Sequence, residues 1–351
     1  MILLNPGPVN VSPQVTAALG RGDICHREPE CAELLERIRR RLLDAFAPRG
    51  FSAVLITGSG TAAVEAAVTS VCSERGRLVV ISNGVYGERI TAMARAARIP
   101  VTPVESPWTE APDLDAVEAA LRGPDAEAVA VVHHETTTGL LNPVAEVARH
   151  ARALGKLVLV DAVSGLAGDA LDVADADVVV GTGGKCIQAF PGIAFVLVRD
   201  EVMARLATYP RRSLYLSLAT YTAHPMPFTP AVQVAYALEE ALGELLEETV
   251  AGRIARYAAA AARLRDGFTR LGLECVLPPQ RRSNTITSLR FPKGSSYREL
   301  HDSLKTRGFV IYEGQGWFAK EAFRVANMGA LRPSDLDGFL SALGAVLGSA
   351  R

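Results

Sequence analysis

A single lysine, Lys185, stands among glycines in Gly181-Thr-Gly-Gly-Lys185-Cys-Ile-Gln-Ala-Phe-Pro-Gly192, between apolar runs over 178–180 and 193–198. Both runs are rich in β-branched residues and read as buried strands. A lysine beside a sheet can be partly desolvated, which disfavours the ammonium and suits an amine that attacks a carbonyl. The alternative, a solvated loop lysine, is the commoner fate of the residue. Asp161 shifts that balance. It ends Leu157-Val-Leu-Val-Asp161, another apolar strand, and an acid and an amine at the carboxyl ends of sheet strands can face one ligand. Upstream, Thr57-Gly-Ser-Gly-Thr61 joins a strand to a helix expected over 62–71. Such a turn presents free backbone N–H groups and the positive end of a helix dipole, which suits phosphate. Ser59 and Thr61 add hydroxyls. Alone, the segment reads equally as a plain βα turn with an N-cap threonine. It is neither a P-loop nor a dinucleotide fingerprint.

Two further post-strand segments point the same way. Tyr86, in Asn83-Gly-Val-Tyr86, can stack on a planar ligand or simply pack at a helix start. His133-His-Glu-Thr-Thr-Thr138 offers three consecutive hydroxyls. Phosphate cradle, stacking aromatic, strand-end acid and strand-end amine together describe a pyridoxal phosphate site. The acid would keep the pyridine nitrogen protonated and the lysine would form the Schiff base.

The elements that must position these groups alternate. Strands are expected over 51–57, 77–82, 100–104, 127–132, 157–161, 177–181 and 193–198, with helices between most of them. Near-continuous apolar strands imply a mainly parallel sheet covered on both faces, an α/β architecture. Before it, Ser12-Pro13 reads as a cap and first residue of a short helix. A helix from about 30 to 46 then buries Leu34, Leu35, Ile38, Leu42 and Leu43. A long helix is expected from about 229 to 248, joined near Gly252 to another ending about 272. Short strands at 274–277, 285–290, 308–312 and 322–326, with helices at 297–306 and 333–346, form a smaller α+β unit. The expected division is 1–248 and 249–351.

Composition narrows the function. The 351 residues suffice for a large core, and 49% hydrophobic with 21% charged residues argues against disorder. A net charge of −1 without a basic run argues against nucleic acid or an anionic membrane as partner. Five scattered cysteines, with no C-x-x-C, suit a reducing cytoplasm better than disulfides or a metal site. The first residues lack the charged leader and apolar core of a signal peptide. The segment 213–238 lacks formal charge, but its prolines and hydroxyls are wrong for a membrane span.

The chain resembles the class V, fold-type I aminotransferases, nearest their 2-aminoethylphosphonate branch, with alanine–glyoxylate and serine–pyruvate enzymes as relatives. The resemblance rests on Leu4-Asn-Pro-Gly-Pro8, Gly58-Ser-Gly-Thr61 with Glu65, Asn83-Gly-Val-Tyr-Gly-Glu-Arg89, His134-Glu-Thr-Thr-Thr-Gly139 with Asn142-Pro143, Val160-Asp-Ala-Val-Ser164, Lys185-Cys-Ile-Gln-Ala-Phe-Pro-Gly192, Phe228-Thr-Pro230, Gly308-Phe-Val-Ile-Tyr312 and Phe323-Arg-Val-Ala-Asn327. It implies transamination of 2-aminoethylphosphonate with pyruvate, giving phosphonoacetaldehyde and alanine, in a homodimer with shared sites. Ser59, Gly60 and Thr61 would hold the cofactor phosphate, and Thr229 would reach that of the other subunit. Tyr86 would stack on the ring, Val163 would lie on its face and Thr137 near its phenolic oxygen. Asp161 would pair with the pyridine nitrogen, and Lys185 would carry the Schiff base and shuttle the proton. Arg324 would bind the substrate anion, with Arg27, Asn5 and Gly7 also on the substrate side. Arg27 reads otherwise as a surface arginine paired with Glu28 or Glu30. One departure is Gly183-Gly184, where relatives often carry a polar residue, so no side-chain phosphate contact is expected there. Cys186 adjoins the lysine rather than lying on a mobile loop, which argues against a cysteine desulfurase. The missing fingerprint argues against a nicotinamide dehydrogenase, and the absence of a DNA-binding appendage against a regulatory module.

Overall fold

The computed structural model describes residues 1–224 and 226–349. Its centre is a seven-stranded sheet in the spatial order Phe51–Gly58, Gly192–Arg199, Val178–Thr182, Leu157–Asp161, Ala126–Val132, Arg77–Ser82, Val101–Glu105. The last five of these pair in parallel, while Gly192–Arg199 runs antiparallel to both of its neighbours. The strands lie within a residue or so of their expected positions.

Their apolar runs are continuous because alternate residues meet different helices. Val158, Val160, Val179, Phe195 and Leu197 share a core with helices Pro29–Phe46, Val144–Ala153 and Val232–Glu248. Leu159, Val178, Val180, Ala194 and Val196 share another with helices Gly60–Ser70 and Val85–Ala96. Leu34, Leu35, Ile38 and Leu42 of the helix Pro29–Phe46 are buried, as their spacing requires. Burying each such side chain contributes about 1.5–3 kcal/mol.

The C-terminal portion builds a three-stranded antiparallel sheet, Ile286–Arg290, Ala322–Ala326 and Tyr312–Glu313, with helices Val250–Arg270, Tyr297–Lys305 and Pro333–Ser349. The strand expected over 274–277 is reduced to a single bridge between Cys275 and Leu289, flanked by two backbone bonds, Val276 N–H to the carbonyl of Ser288 and Arg290 N–H to the carbonyl of Glu274. The long helix starts at Val232, just after Pro230, and stops at Glu248, where Thr249 takes a φ of 69° and its hydroxyl caps the next helix at Gly252. The chain's first strand, Ile2–Leu3, pairs in parallel with Phe309–Val310, and Leu4 joins the C-terminal core. The entry segment is thereby stitched to the C-terminal sheet before residues 6–8 cross to the edge of the large one.

Among the described residues, no helix is long and apolar enough to cross a membrane, and no group of three or more His, Cys, Asp or Glu is placed to hold a metal.

Candidate active site

The carboxyl ends of strands Phe51–Gly58, Ala126–Val132, Leu157–Asp161 and Val178–Thr182 open onto one cavity of about 260 Å³. Gly7, Ser59, Gly60, Thr61, Tyr86, Arg89, Thr136, Asp161, Val163 and Lys185 all line it.

Lys185 is held from both sides. Its Nζ donates to the carbonyl of Pro6. Behind it, the buried Arg253 donates to the carbonyl of Cys186, and Gln188 donates to Tyr257 Oη at 2.7 Å and to the carbonyl of Gly329 at 2.8 Å. The turn is tight enough that a Cβ on Gly184 would lie 3.0 Å from the Pro191 backbone, and one on Gly183 3.0 Å from Leu238. A side chain at 183 or 184 would therefore crowd Leu238 or the Pro191 backbone. A Cβ on Gly7, at a φ of 117°, would come within 2.6 Å of Lys185 Nζ. Burial lowers the lysine's pKa to about 8, aided by the Arg324 and Arg89 cations and opposed by Cys186 and Asp161.

Asp161 is buried, and its Oδ1 accepts the Val163 N–H at 3.0 Å. Burial raises its pKa to about 6 despite that bond and the Arg89 and Lys185 charges. A cation supplied by a ligand would reverse the shift. Val163 packs on Gly60 so closely that a Cβ there would lie 2.7 Å from a valine methyl. Ser59, not Thr61, is the N-cap of the helix Gly60–Ser70, its Oγ accepting from the Ala62 N–H. A cap side chain must precede the first helical residue, and the helix begins two residues earlier than expected. The first amides of that helix have no intrahelical acceptor. Thr61 Oγ1 receives a bond from Arg89 at 3.3 Å, and the Arg89 guanidinium lies 4.6 Å from the centre of the Tyr86 ring. Arg89 is a site residue not singled out from the sequence, although its three-residue spacing from Tyr86 puts both on one face of the helix Val85–Ala96.

Thr137, expected near the ring, does not line the cavity. Its hydroxyl donates to Glu135 Oε1 at 2.5 Å and accepts the Val85 N–H at 3.0 Å. The cavity receives Thr136 instead, whose buried Oγ1 has no partner. Arg324 does not line the cavity either, but it lies just behind Thr136. It is buried, donates to the carbonyls of Thr136 and Glu313 and to Gln315 Oε1, and has no carboxylate within ion-pair distance among the described residues. Desolvation lowers its pKa from the usual value. A buried guanidinium without an anion is costly; here its N–H groups are met by neutral carbonyl and amide oxygens.

Asn5 is buried and outside the lining, its amide donating to the carbonyl of Pro8 and its Oδ1 unpartnered. Arg27 is exposed, outside the lining, and not paired with Glu28 or Glu30. Thr229 is exposed on the loop before the helix Val232–Glu248, also outside the lining. Cys186 points away, its Sγ donating to the carbonyl of Ser164, with burial raising its pKa. It is no available thiolate.

These groups fit pyridoxal phosphate. Helix amides and hydroxyls can hold a phosphate, Asp161 a protonated ring nitrogen, and Lys185 the aldehyde. Val163, on a Gly60 that leaves no room for a side chain, offers a flat apolar wall.

Residues 12–334 match the family model described as Aminotransferase class-V. The 2-aminoethylphosphonate–pyruvate transaminase of Syntrophobacter fumaroxidans is 39% identical over 95% of this chain and 93% of its own. That of Vibrio cholerae is 36% identical over 97% of this chain and 96% of its own. Among solved structures, pyridoxamine–pyruvate aminotransferase from Mesorhizobium loti superposes with a TM-score of 0.92 at 30% identity, covering all of this chain and 92% of its own.

Proposed function

This chain belongs to the class-V aminotransferases, and we propose that it transfers the amine of 2-aminoethylphosphonate to pyruvate, giving phosphonoacetaldehyde and alanine. It is a fold-type I enzyme that uses pyridoxal phosphate. The observation that carries the substrate reading is the near full-length similarity to relatives that bear this activity in their names. The buried, anion-free Arg324 beside the cavity supports it, because both proposed substrates are anions.

Pyridoxal phosphate supplies an electron sink for the carbon that bears the transferred amine. The chain's residues do the rest. Ser59, Gly60 and Thr61 bind the phosphate, with Arg89 adding positive charge through Thr61. Tyr86 and Val163 bracket the ring, and Thr136, rather than Thr137, lines the cavity, its own hydroxyl buried and without a partner. Asp161 holds the proton on the pyridine nitrogen. Lys185, with its pKa lowered to about 8, would take the proton from the substrate's amine-bearing carbon and return it to the carbon on the other side of that nitrogen, a 1,3 shift. Arg324 turns its guanidinium to the substrate anion with a planar fork that fits carboxylate or phosphonate. Gly7 leaves room for the lysine to swing, and Asn5 holds the entry segment beside it.

We place the enzyme in the cytoplasm as a homodimer. Five free cysteines support a reducing compartment. Ser59 and Thr61 are exposed at the phosphate end, which supports closure there by Thr229 of a second copy. Arg27 would likewise act on the other copy's substrate. Its division into a cofactor-binding part, 1–248, and a smaller part, 249–351, is supported by the helix break at Thr249, with residues 2–4 of the first part packed into the second.

Purified holoprotein given 2-aminoethylphosphonate and pyruvate should form alanine and phosphonoacetaldehyde in equal amounts. No alanine from that pair, beside rapid glycine formation from alanine and glyoxylate, would replace this reading with an alanine–glyoxylate activity.

A further inference from the structure

Glu135 is fully buried beside the cavity but does not line it. Such a carboxylate must be repaid by hydrogen bonds or a counter-charge. It accepts four. Oε1 receives the Thr137 N–H at 3.1 Å and the Thr137 hydroxyl at 2.5 Å. Oε2 receives the N–H groups of Tyr86 and Gly87 at 3.2 and 3.4 Å. Those two amides, with that of Val85, open the helix Val85–Ala96. Its cap position is Gly84, which has no side chain to satisfy them. The Val85 N–H goes to Thr137 Oγ1. Thr137 thus accepts from the helix while it donates to Glu135. The helix's own ladder starts one residue later, with Glu88 N–H to the carbonyl of Gly84.

We propose that Glu135 and Thr137 are positioning residues: they cap, from a separate segment, the helix that carries Tyr86 and Arg89, and so set the angle at which Tyr86 meets the cofactor ring. The proposal rests on the reading that Tyr86 stacks on that ring. Three features make the cap rigid. A Cβ on Gly84 would lie 2.3 Å from Glu135 Cδ, so glycine there is what admits the carboxylate. A Cβ on Gly87 would lie 2.6 Å from the carbonyl of Ile81, so the helix start is seated against the sheet. The Glu135 backbone is fixed by pairing of His134–Glu135 with Leu140–Leu141. Burial raises the Glu135 pKa to about 7, against which the bonds from Thr137 and Gly87 and the positive end of the helix dipole favour the carboxylate. Residues 135–137 divide their labour by alternation. Thr136 faces the cavity, while its two neighbours face the helix.

The test measures the pyridoxal phosphate dissociation constant, the visible circular dichroism of the bound cofactor and the melting temperature. It compares wild type with Glu135→Gln, Thr137→Ala, Thr137→Ser and Tyr86→Ala. Glu135→Gln turns an NH2 toward groups that are themselves donors, and Thr137→Ala orphans the Val85 amide. Each should weaken cofactor binding by about tenfold or more, the effect of one charged or buried hydrogen bond, and change the dichroic band. Thr137→Ser should restore both. A lower melting temperature with the dissociation constant and band unchanged would overturn the proposal. If Glu135→Gln does not fold, the Thr137→Ala and Thr137→Ser pair decides alone. Wild-type binding and dichroism in the Glu135 and Thr137 variants, beside altered values in Tyr86→Ala, would remove the capping role and leave the stacking intact. No change in Tyr86→Ala would overturn the stacking, and the capping proposal with it.

Discussion

Capture of cofactor by the apoprotein should follow the titration of Lys185. Only the free amine attacks an aldehyde, and burial brings this lysine from 10.5 to about 8. At pH 7 that raises the neutral fraction from roughly 0.03% to roughly 9%, about a 300-fold gain. The sign follows from the direction of the shift. Below pH 8 the ammonium dominates, and the second-order rate of capture should rise about tenfold per pH unit. Above pH 8 the rate should level off. Stopped-flow mixing of apoprotein with pyridoxal phosphate, read at the visible band of the lysine-bound form and checked by borohydride reduction, gives the profile. Asp161→Asn removes an anion that favours the ammonium, so its inflection should move to lower pH. A wild-type rate still climbing tenfold per unit to pH 10 would refute the reasoning, since it would mean that the lysine is solvated.

Asp161→Asn should bind cofactor but turn over slowly. Losing a buried charge partner costs about 3–5 kcal/mol, or roughly two to four decades if felt wholly in the transition state; near-normal kcat would remove the residue from the mechanism. Gly60→Ala would push a Cβ to 2.7 Å from Val163, so cofactor affinity should fall in equilibrium dialysis with the secondary structure retained. Arg324→Ala should impair both half-reactions in single-turnover kinetics. Arg27→Ala should impair the phosphonate half more than the alanine half, by about 1.5–3 kcal/mol, and equal losses would return Arg27 to the surface.

The sheet was legible because its strands are buried on both faces, which leaves nearly unbroken apolar runs such as Val178-Val-Val180 ended by glycine. Asp161 and Lys185 were legible for the same reason: a charge at the end of such a run is conspicuous. Side-chain direction beyond a strand end was not. The strand Ala126–Val132 breaks its alternation at His133, so which of Thr136, Thr137 and Thr138 enters the cavity depends on the turn. The cap at Ser59 was misassigned to Thr61 because either residue could start the helix; the backbone decides. Arg89 carried a signal in its spacing from Tyr86, but helix-surface arginines are common. The pairing of Ile2–Leu3 with Phe309–Val310 joins segments three hundred residues apart in round terms, beyond any local pattern. Neither Arg27 nor Thr229 lines the cavity of its own chain, so a role for either in a second copy's cavity leaves no local pattern to read.

The most direct measurement adds single amines to purified holoprotein, without any keto acid, and follows the cofactor spectrum. 2-Aminoethylphosphonate should convert the lysine-bound form to the pyridoxamine form at the fastest rate in the panel, and pyruvate should restore it. An unchanged spectrum with 2-aminoethylphosphonate, beside rapid conversion by serine or another amino donor, would contradict the proposed substrate.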